Sequence, residues 1–469
     1  MHVEEPAAER FLYGLWETGV AGRRFRTTDG RAVEVLSPGR RNTDAGPDYR
    51  DAVVRIDGRV LRGDIEFHAL VDDWERHGHH RDPRYNNVVL HFVTSGCPSD
   101  ARTLRQDGVA VPIVDLDRHL PEPAESLEQA GLPTTQAFPK PCWLQEQSAE
   151  RVRQVIDRAS RFRLVEKAAR FQEERHADDW DQIIYRGILE ALGYAKNQTP
   201  ARALADRLPV RSLWQHTQSY GASEAVTHIQ AWLFGAAGFL DGGSPVDIPS
   251  ETFFTTLRQL WEGFPERRKI DPLPFQAWTF FRLRPSNFPT RRLAAAAVLV
   301  VRFRQHGFAE SIARLLRTLQ RSRQHPAHEL EKLLIVESHG FWNQRDCFLT
   351  GKPRKGGRAP QLLGKDRARD IAVNVVLPAL AAVAGETDDG HLRTTVNEIY
   401  RTYPRLPDNE ILRTVRQHVF PTLSNAGDGV STAAQQQGLI YLYKNGCLKG
   451  NCALCARLAE KTASPNASS

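Results

Sequence analysis

The chain has 469 residues, 41% hydrophobic and 25% charged, with 63 Lys and Arg against 56 Asp and Glu. This is the composition of a soluble globular protein long enough for two or three domains. No run of about 18 apolar residues points to a membrane span, and the acidic start MHVEEPAAER lacks a signal-peptide core, so a cytoplasmic location is expected. The net charge of +7 suits a polyanion such as DNA or RNA, though modestly over this length.

In chain order, residues 5–17 carry Phe11, Leu12, Leu15 and Trp16 at helical spacing. Ala32–Leu36 reads as a strand. Ala52–Ile56 and Arg59–His68 read as a hairpin, because Asp57-Gly58 supplies the positive φ angles of a two-residue turn. On its second strand Leu61, Ile65 and Phe67 alternate with Arg62, Asp64, Glu66 and His68, so the charged set shares one face. A short helix or turn at Asp72–His77 and strands at Asn87–Val93 and Val109–Leu116 complete a mixed α/β unit over residues 1–118.

Residues 119–141 are proline-rich and read as a linker. Helices are expected over 148–175 with Ser148 as N-cap, then 179–193, 222–236, 251–263, 290–305, 308–321 and 327–335. Further helices are expected over 366–384 (broken or kinked at Pro378), 409–418 and 435–444. A mostly helical region therefore spans 142–445. It precedes a cysteine-rich segment at 446–460 and a disordered tail at 461–469. The fold class is α+β.

Gly46–His91 is the densest stretch of chemistry-bearing residues. Asp48 and Glu66 sit where two carboxylates can meet across neighbouring strands and hold Mg²⁺ or Mn²⁺, and His68 follows on the same face. The loop His77-Gly78-His79-His80-Arg81-Asp82 supplies more groups able to ligate a transition metal, serve as acid or base, or line the pocket. The plainer alternative is a hairpin with one solvated charged face. Pro47-Asp48 and Glu66-x-His68 resemble the PD-(D/E)xK nuclease pattern. That resemblance implies a restriction-endonuclease-like core that hydrolyses phosphodiester bonds, with Asp48 and Glu66 on the metal and His68 orienting water or phosphate. His68 stands where that superfamily has Lys, which keeps a second function open: a nucleic-acid-binding or assembly protein with an inactive core. A third is a metal hydrolase of another substrate built on the His77–Asp82 cluster.

At the C-terminus Cys447, Cys452 and Cys455 have the spacing of metal ligands, with a fourth to come from Cys142, Cys347 or a His. Zn²⁺ and a [4Fe–4S] cluster both suit four thiolates. Some RecB-related nucleases resemble this plan of one early and three late cysteines. Basic residues, among them Arg284, Arg291, Lys355, Arg358 and Lys365, are candidate phosphate contacts; the alternative is a solvated basic surface. Neither a Walker-type loop nor a Gly-x-Gly-x-x-Gly turn after a strand is present, which argues against an ATP motor or a dinucleotide enzyme. Taken together, GPDY, GDIEFH, DWERHGHHRDPRYNNVVLHFV, FRLRPSNFPTRRLA and CLKGNCALC are similar to the bacterial domain-of-unknown-function family 2851 over nearly the whole chain.

Overall fold

The computed structural model describes residues 12, 13, 16, 23–42, 46–94, 97–98, 100–120, 142–241, 247–281, 283–319, 326–349, 360–420, 429–447 and 451–460. They fall into two compact units, Met1–Lys140 and Pro141–Ser469. The fold is α+β: a mixed sheet in the first unit and a large helical second unit.

The sheet comprises β1 (Arg24–Arg26), β2 (Ala32–Ser37), β3 (Arg40–Arg41), β4 (Tyr49–Ile56), β5 (Arg59–His68), β6 (Val88–Val93) and β9 (Ile113–Asp115); β7 (Thr103–Leu104) and β8 (Ala110–Val111) form a separate ladder. The order is β1-β2-β4-β5-β6-β9, with β3 on β4. Pairs up to β4–β5 are antiparallel, whereas β5–β6 and β6–β9 are parallel. The β4–β5 turn is as expected, with Asp57 at φ +46° and Gly58 at +82°.

A parallel pair cannot be joined by a hairpin, so β5 must leave the sheet and return to reach β6. The crossover contains α1 (Asp73–Arg76) and two 3₁₀ turns, His79–Arg81 and Pro83–Tyr85. It sets the fate of both faces of β5. Ile65 and Phe67 enter an apolar core with Trp16, Leu90 and Phe92, where Phe67 stacks on Phe92 at 5.0 Å. Each such side chain contributes about 1.5–3 kcal/mol on burial. On the opposite face Asp64, Glu66 and His68 are only 7%, 4% and 1% exposed. That face is thus not the solvated one that alternation alone allows.

Two irregularities shape this face. In β4 the register shifts between Tyr49 and Ala52, and Asp51 adopts φ +59° with its N–H donating to Asp64 Oδ1 at 3.1 Å. Such a bulge re-aims neighbouring side chains. In β5 a Cβ at Gly63 would stand 2.5 Å from the carbonyl oxygen of Asn87, so only glycine admits the close return of the crossover.

The helical unit contains α2 (Ala149–Glu174), α3 (Trp180–Leu192), α4 (Gln198–Arg207), α5 (Val210–Thr217), α6 (Ala222–Ala236), α7 (Ile248–Glu262), α8 (Pro289–Phe303), α9 (Gly307–Leu319), α10 (Pro326–Leu334), α11 (Lys365–Ile371), α12 (Leu377–Glu386), α13 (Gly390–Thr402), α14 (Glu410–Val419), α15 (Ala433–Asn445) and α16 (Ala453–Ala459). Ser148 and Asp179 cap α2 and α3 through Arg151 N–H and Gln182 N–H. Helices α4, α5, α13 and α16 were not foreseen; α4, α5 and α16 are short, and propensity marks short helices weakly. Pro378 does not end the helical run. Ala372–Val376 widen into a π turn just before it, which accommodates the missing N–H and the ring's clash with the preceding turn. Lys365–Glu386 is long and apolar enough to cross a membrane, but 67% of its apolar window is buried inside the protein, as in a core helix.

Arg291 overturns one expectation. Read from the sequence as a phosphate contact, it is 0% exposed and donates to the carbonyls of Trp342, Arg345 and Pro360 and to Ser338 Oγ, with Asp346 Oδ1 at 3.2 Å. Its neighbour Arg292 donates to Leu362 O, Tyr194 OH and Asn287 Oδ1. The pair ties the 338–362 segment to α8, and a buried guanidinium needs such acceptors. Arg284 is exposed and Lys365 is 58% exposed at its side chain, whereas Lys355 and Arg358 lie outside the described residues.

Candidate metal centre

The centre is built on β5 and the crossover that covers it. Glu66 and His68 project from one strand face, as their spacing requires. His77 follows α1, and His79 opens the next turn after Gly78, whose φ of +79° lets the chain reverse. The turn places His79 flat against Tyr85, with ring centroids 3.8 Å apart, and Trp74 packs edge-on to His79. Trp74 is 1% exposed and donates from its indole N–H to Leu104 O, so it forms a fixed wall.

One ligand atom from each of His68, His77 and His79 lies within 4.8 Å of the others. His77 Nδ1 is 3.2 Å from His68 Nε2. Glu66 Oε1 is 3.2 Å from His79 Nε2 and 3.7 Å from His68 Nε2. Donors on a tetrahedral Zn²⁺, with bonds of about 2.0–2.1 Å, stand about 3.3–3.4 Å apart, so these spacings are those of ligands sharing one ion. Imidazole donors suit Zn²⁺ and similar transition metals better than Mg²⁺.

Behind the ligands runs a relay. His68 Nδ1 is 2.9 Å from His91 Nε2, and His91 Nδ1 is 2.9 Å from Thr103 Oγ1. With His91 donating to Thr103, its Nε2 accepts from His68 Nδ1–H, which leaves His68 Nε2 as the lone-pair atom toward Glu66 and His77. Burial lowers the basicity of the whole group: His79 falls to about 4, His91 to about 3, and His68 and His77 also fall. Burial comes first for each, and neighbouring imidazoles add to it for His68, His77 and His91. All four are neutral near pH 7, the form that binds metal.

Asp48 lies beside this set. Its N–H donates to Glu66 Oε2 at 2.9 Å, its Oδ1 accepts from Tyr13 OH at 2.6 Å, and its Oδ2 accepts from the N–H of Phe67 at 2.9 Å. Asp48 thus braces Glu66, with a hydrogen-bond donor on each carboxylate oxygen. Asp82 is engaged elsewhere: it caps its own turn through Arg84 N–H and pairs with the Arg84 guanidinium, which holds its carboxyl below the usual range. His68 is 1% exposed with ring nitrogens facing imidazoles, which leaves it no surface for the phosphate-orienting role of a lysine.

The sequence reading omitted Tyr13 and Thr103 from the site; Trp74, Tyr85 and His91 were grouped with the His77–Asp82 loop but given no role. His91 was visible as a histidine in an apolar strand; its register opposite Glu66 on the parallel β6 was not. Thr103, in a short ladder strand, carries no local signal.

No curated protein and no solved structure matches this chain. One family model matches, described as a protein of unknown function (DUF2851), and it spans residues 9–409. The chain belongs to that family.

Proposed function

We propose that the N-terminal unit is a metal-dependent hydrolase of phosphodiester bonds. Its ion is a transition metal held by His68, His77, His79 and Glu66. The observation that carries this reading is the approach of Glu66 Oε1 to His79 and His68 inside the histidine trio. An ion held there, with a fifth position open to solvent, would supply an acidified water and would stabilise charge on a phosphoryl oxygen. His77, the most exposed ligand, marks the side from which water and substrate enter. Asp48 positions Glu66. The choice of substrate rests on the resemblance of Pro47-Asp48 and Glu66-x-His68 to the PD-(D/E)xK pattern, with His68 acting as a metal ligand rather than in the lysine's place.

The test is cleavage of single- and double-stranded DNA and RNA by metal-loaded protein, beside metal analysis. His79→Ala and Glu66→Gln are expected to lose bound metal and at least about 100-fold in cleavage rate. Cleavage unchanged in both variants sinks the proposal. Metal bound in the wild type without phosphodiester turnover moves the reading to a hydrolase of another substrate.

A further inference from the structure

A second group of ligating side chains lies wholly within the helical unit. Cys142 immediately precedes the 3₁₀ turn Trp143–Glu146 and is 7% exposed. Cys447 follows α15, Cys452 stands at the head of α16, and Cys455 lies in the first turn of α16, 7% exposed. Two backbone bonds fix their surroundings: Asn451 N–H donates to Gly446 O at 3.0 Å, and Cys455 N–H donates to Cys452 O at 3.2 Å. Helix α16 packs on the Trp143–Glu146 turn, on α2 and on α15, which brings the two ends of the unit together. Arg158 of α2 fixes that docking by donating to Leu458 O and Glu460 O at 2.5 and 2.7 Å.

All four thiols are reduced. The packing of α16 on α15 and on the turn that follows Cys142 sets Cys142 and Cys447 beside the helix that carries Cys455, with Cys452 at its head. Cys347 lies apart: it is 0% exposed and its Sγ accepts from Leu349 N–H at 3.3 Å. Cys97 belongs to the other unit.

We propose that Cys142, Cys447, Cys452 and Cys455 together bind one thiophilic metal centre, a zinc ion or an iron–sulfur cluster, that clamps the C-terminal helix onto the start of the helical unit. Four thiolates from two distant segments make a closed donor set of the structural kind, with no position left for substrate. Loading releases thiol protons to solvent and changes no oxidation state of the sulfur. α16 is only seven residues long, so a metal clamp supplies what so short a helix lacks by itself.

The test uses full-length protein purified without chelator and without air, carrying His68→Ala and His79→Ala so that the N-terminal unit contributes no metal. About one zinc, or about four iron with matching labile sulfide, is expected per chain, and the ratio identifies the centre. Cys452→Ser, at an exposed position, is expected to lose that metal and to make the last helix cleavable by protease; Cys347→Ser is expected to keep it. Equal metal in Cys452→Ser and the parent overturns the proposal. So does metal-free parent protein that shows no thiolate-to-Co²⁺ charge-transfer absorption on cobalt titration, or a disulfide among the four cysteines in protein kept from air.

Discussion

Glu66 Oε1 lies 3.2 Å from His79 Nε2, with His79 pushed down to about 4 by burial. At neutral pH this is therefore a carboxylate beside a neutral imidazole rather than an ion pair. Two further imidazoles share the same space, an arrangement that suits the transition-metal ion proposed for it. Glu66 comes from a sheet strand and His79 from the crossover, so the centre forms only when the crossover closes over β5.

The relay behind His68 sets its affinity for metal. His91→Leu removes the acceptor that keeps His68 Nδ1 protonated, and metal affinity is expected to fall about 10–100-fold. Thr103→Val, one step further back, is expected to cost less than about tenfold. Competition against a chelator of known affinity measures both. An affinity for His91→Leu equal to that of the wild type, with the fold intact by circular dichroism, would show the relay to be packing only.

Arg291 and Arg284 are expected to behave oppositely. Arg291→Leu withdraws the buried guanidinium from Asp346 and from the carbonyls of Trp342, Arg345 and Pro360, and should cost about 3–5 kcal/mol of stability. Arg284→Ala, at an exposed position, should shift stability by no more than about 0.5 kcal/mol. If the helical unit binds DNA or RNA, Arg284→Ala lowers that affinity and flattens its salt dependence. Urea titration and fluorescence anisotropy at two salt concentrations check these outcomes; a stable Arg291→Leu protein contradicts the assignment.

Lys167 gives a pH signature. It lies on α2 and donates to Asn374 in the π turn, where burial above all, with Arg163 adding, depresses it to about 7, against the pull of Asp370. The unfolded chain, with lysine near 10.5, then binds more protons than the folded one between about pH 7 and 10.5, so stability rises with pH across that window. Below about 7 the cost of charging Lys167 is fully present. Because the side chain keeps some solvent contact, an effect on the order of 1–2 kcal/mol is expected. Lys167→Met should flatten the rise, read as the urea midpoint at pH 7 and pH 9.5. Equal slopes in the two proteins would refute the assignment.

Much of the architecture was legible because it rests on local rules. The alternation along Leu61–His68 foretold which side chains share a face, and Asp57-Gly58 foretold the turn. Ser148 announced the start of the long helix α2. Asn287 and Thr290 illustrate the opposite case. Suited by type to cap α8, they instead bond elsewhere: Thr290 donates to Asp346 O and Asn287 accepts from Arg292. The need of a buried arginine for acceptors outweighed a local capping preference.

By itself the sequence determined that Gly46–His91 is the densest stretch of chemistry-bearing residues, that Glu66 and His68 share one face of a strand, and that three cysteines gather at the C-terminus. Only the tertiary structure decided that the charged face is buried, that His77 and His79 stand with Glu66 and His68, and that the turn after Cys142 packs against the helix carrying Cys455. The reason is physical. Strand alternation and turn chemistry act between residues a few positions apart, whereas ligand spacing depends on how a crossover or a terminal helix docks on distant segments. That docking is set by the burial of Trp74 against the strand face and by Arg158 finding the carbonyls of α16, and spacing along the chain encodes neither.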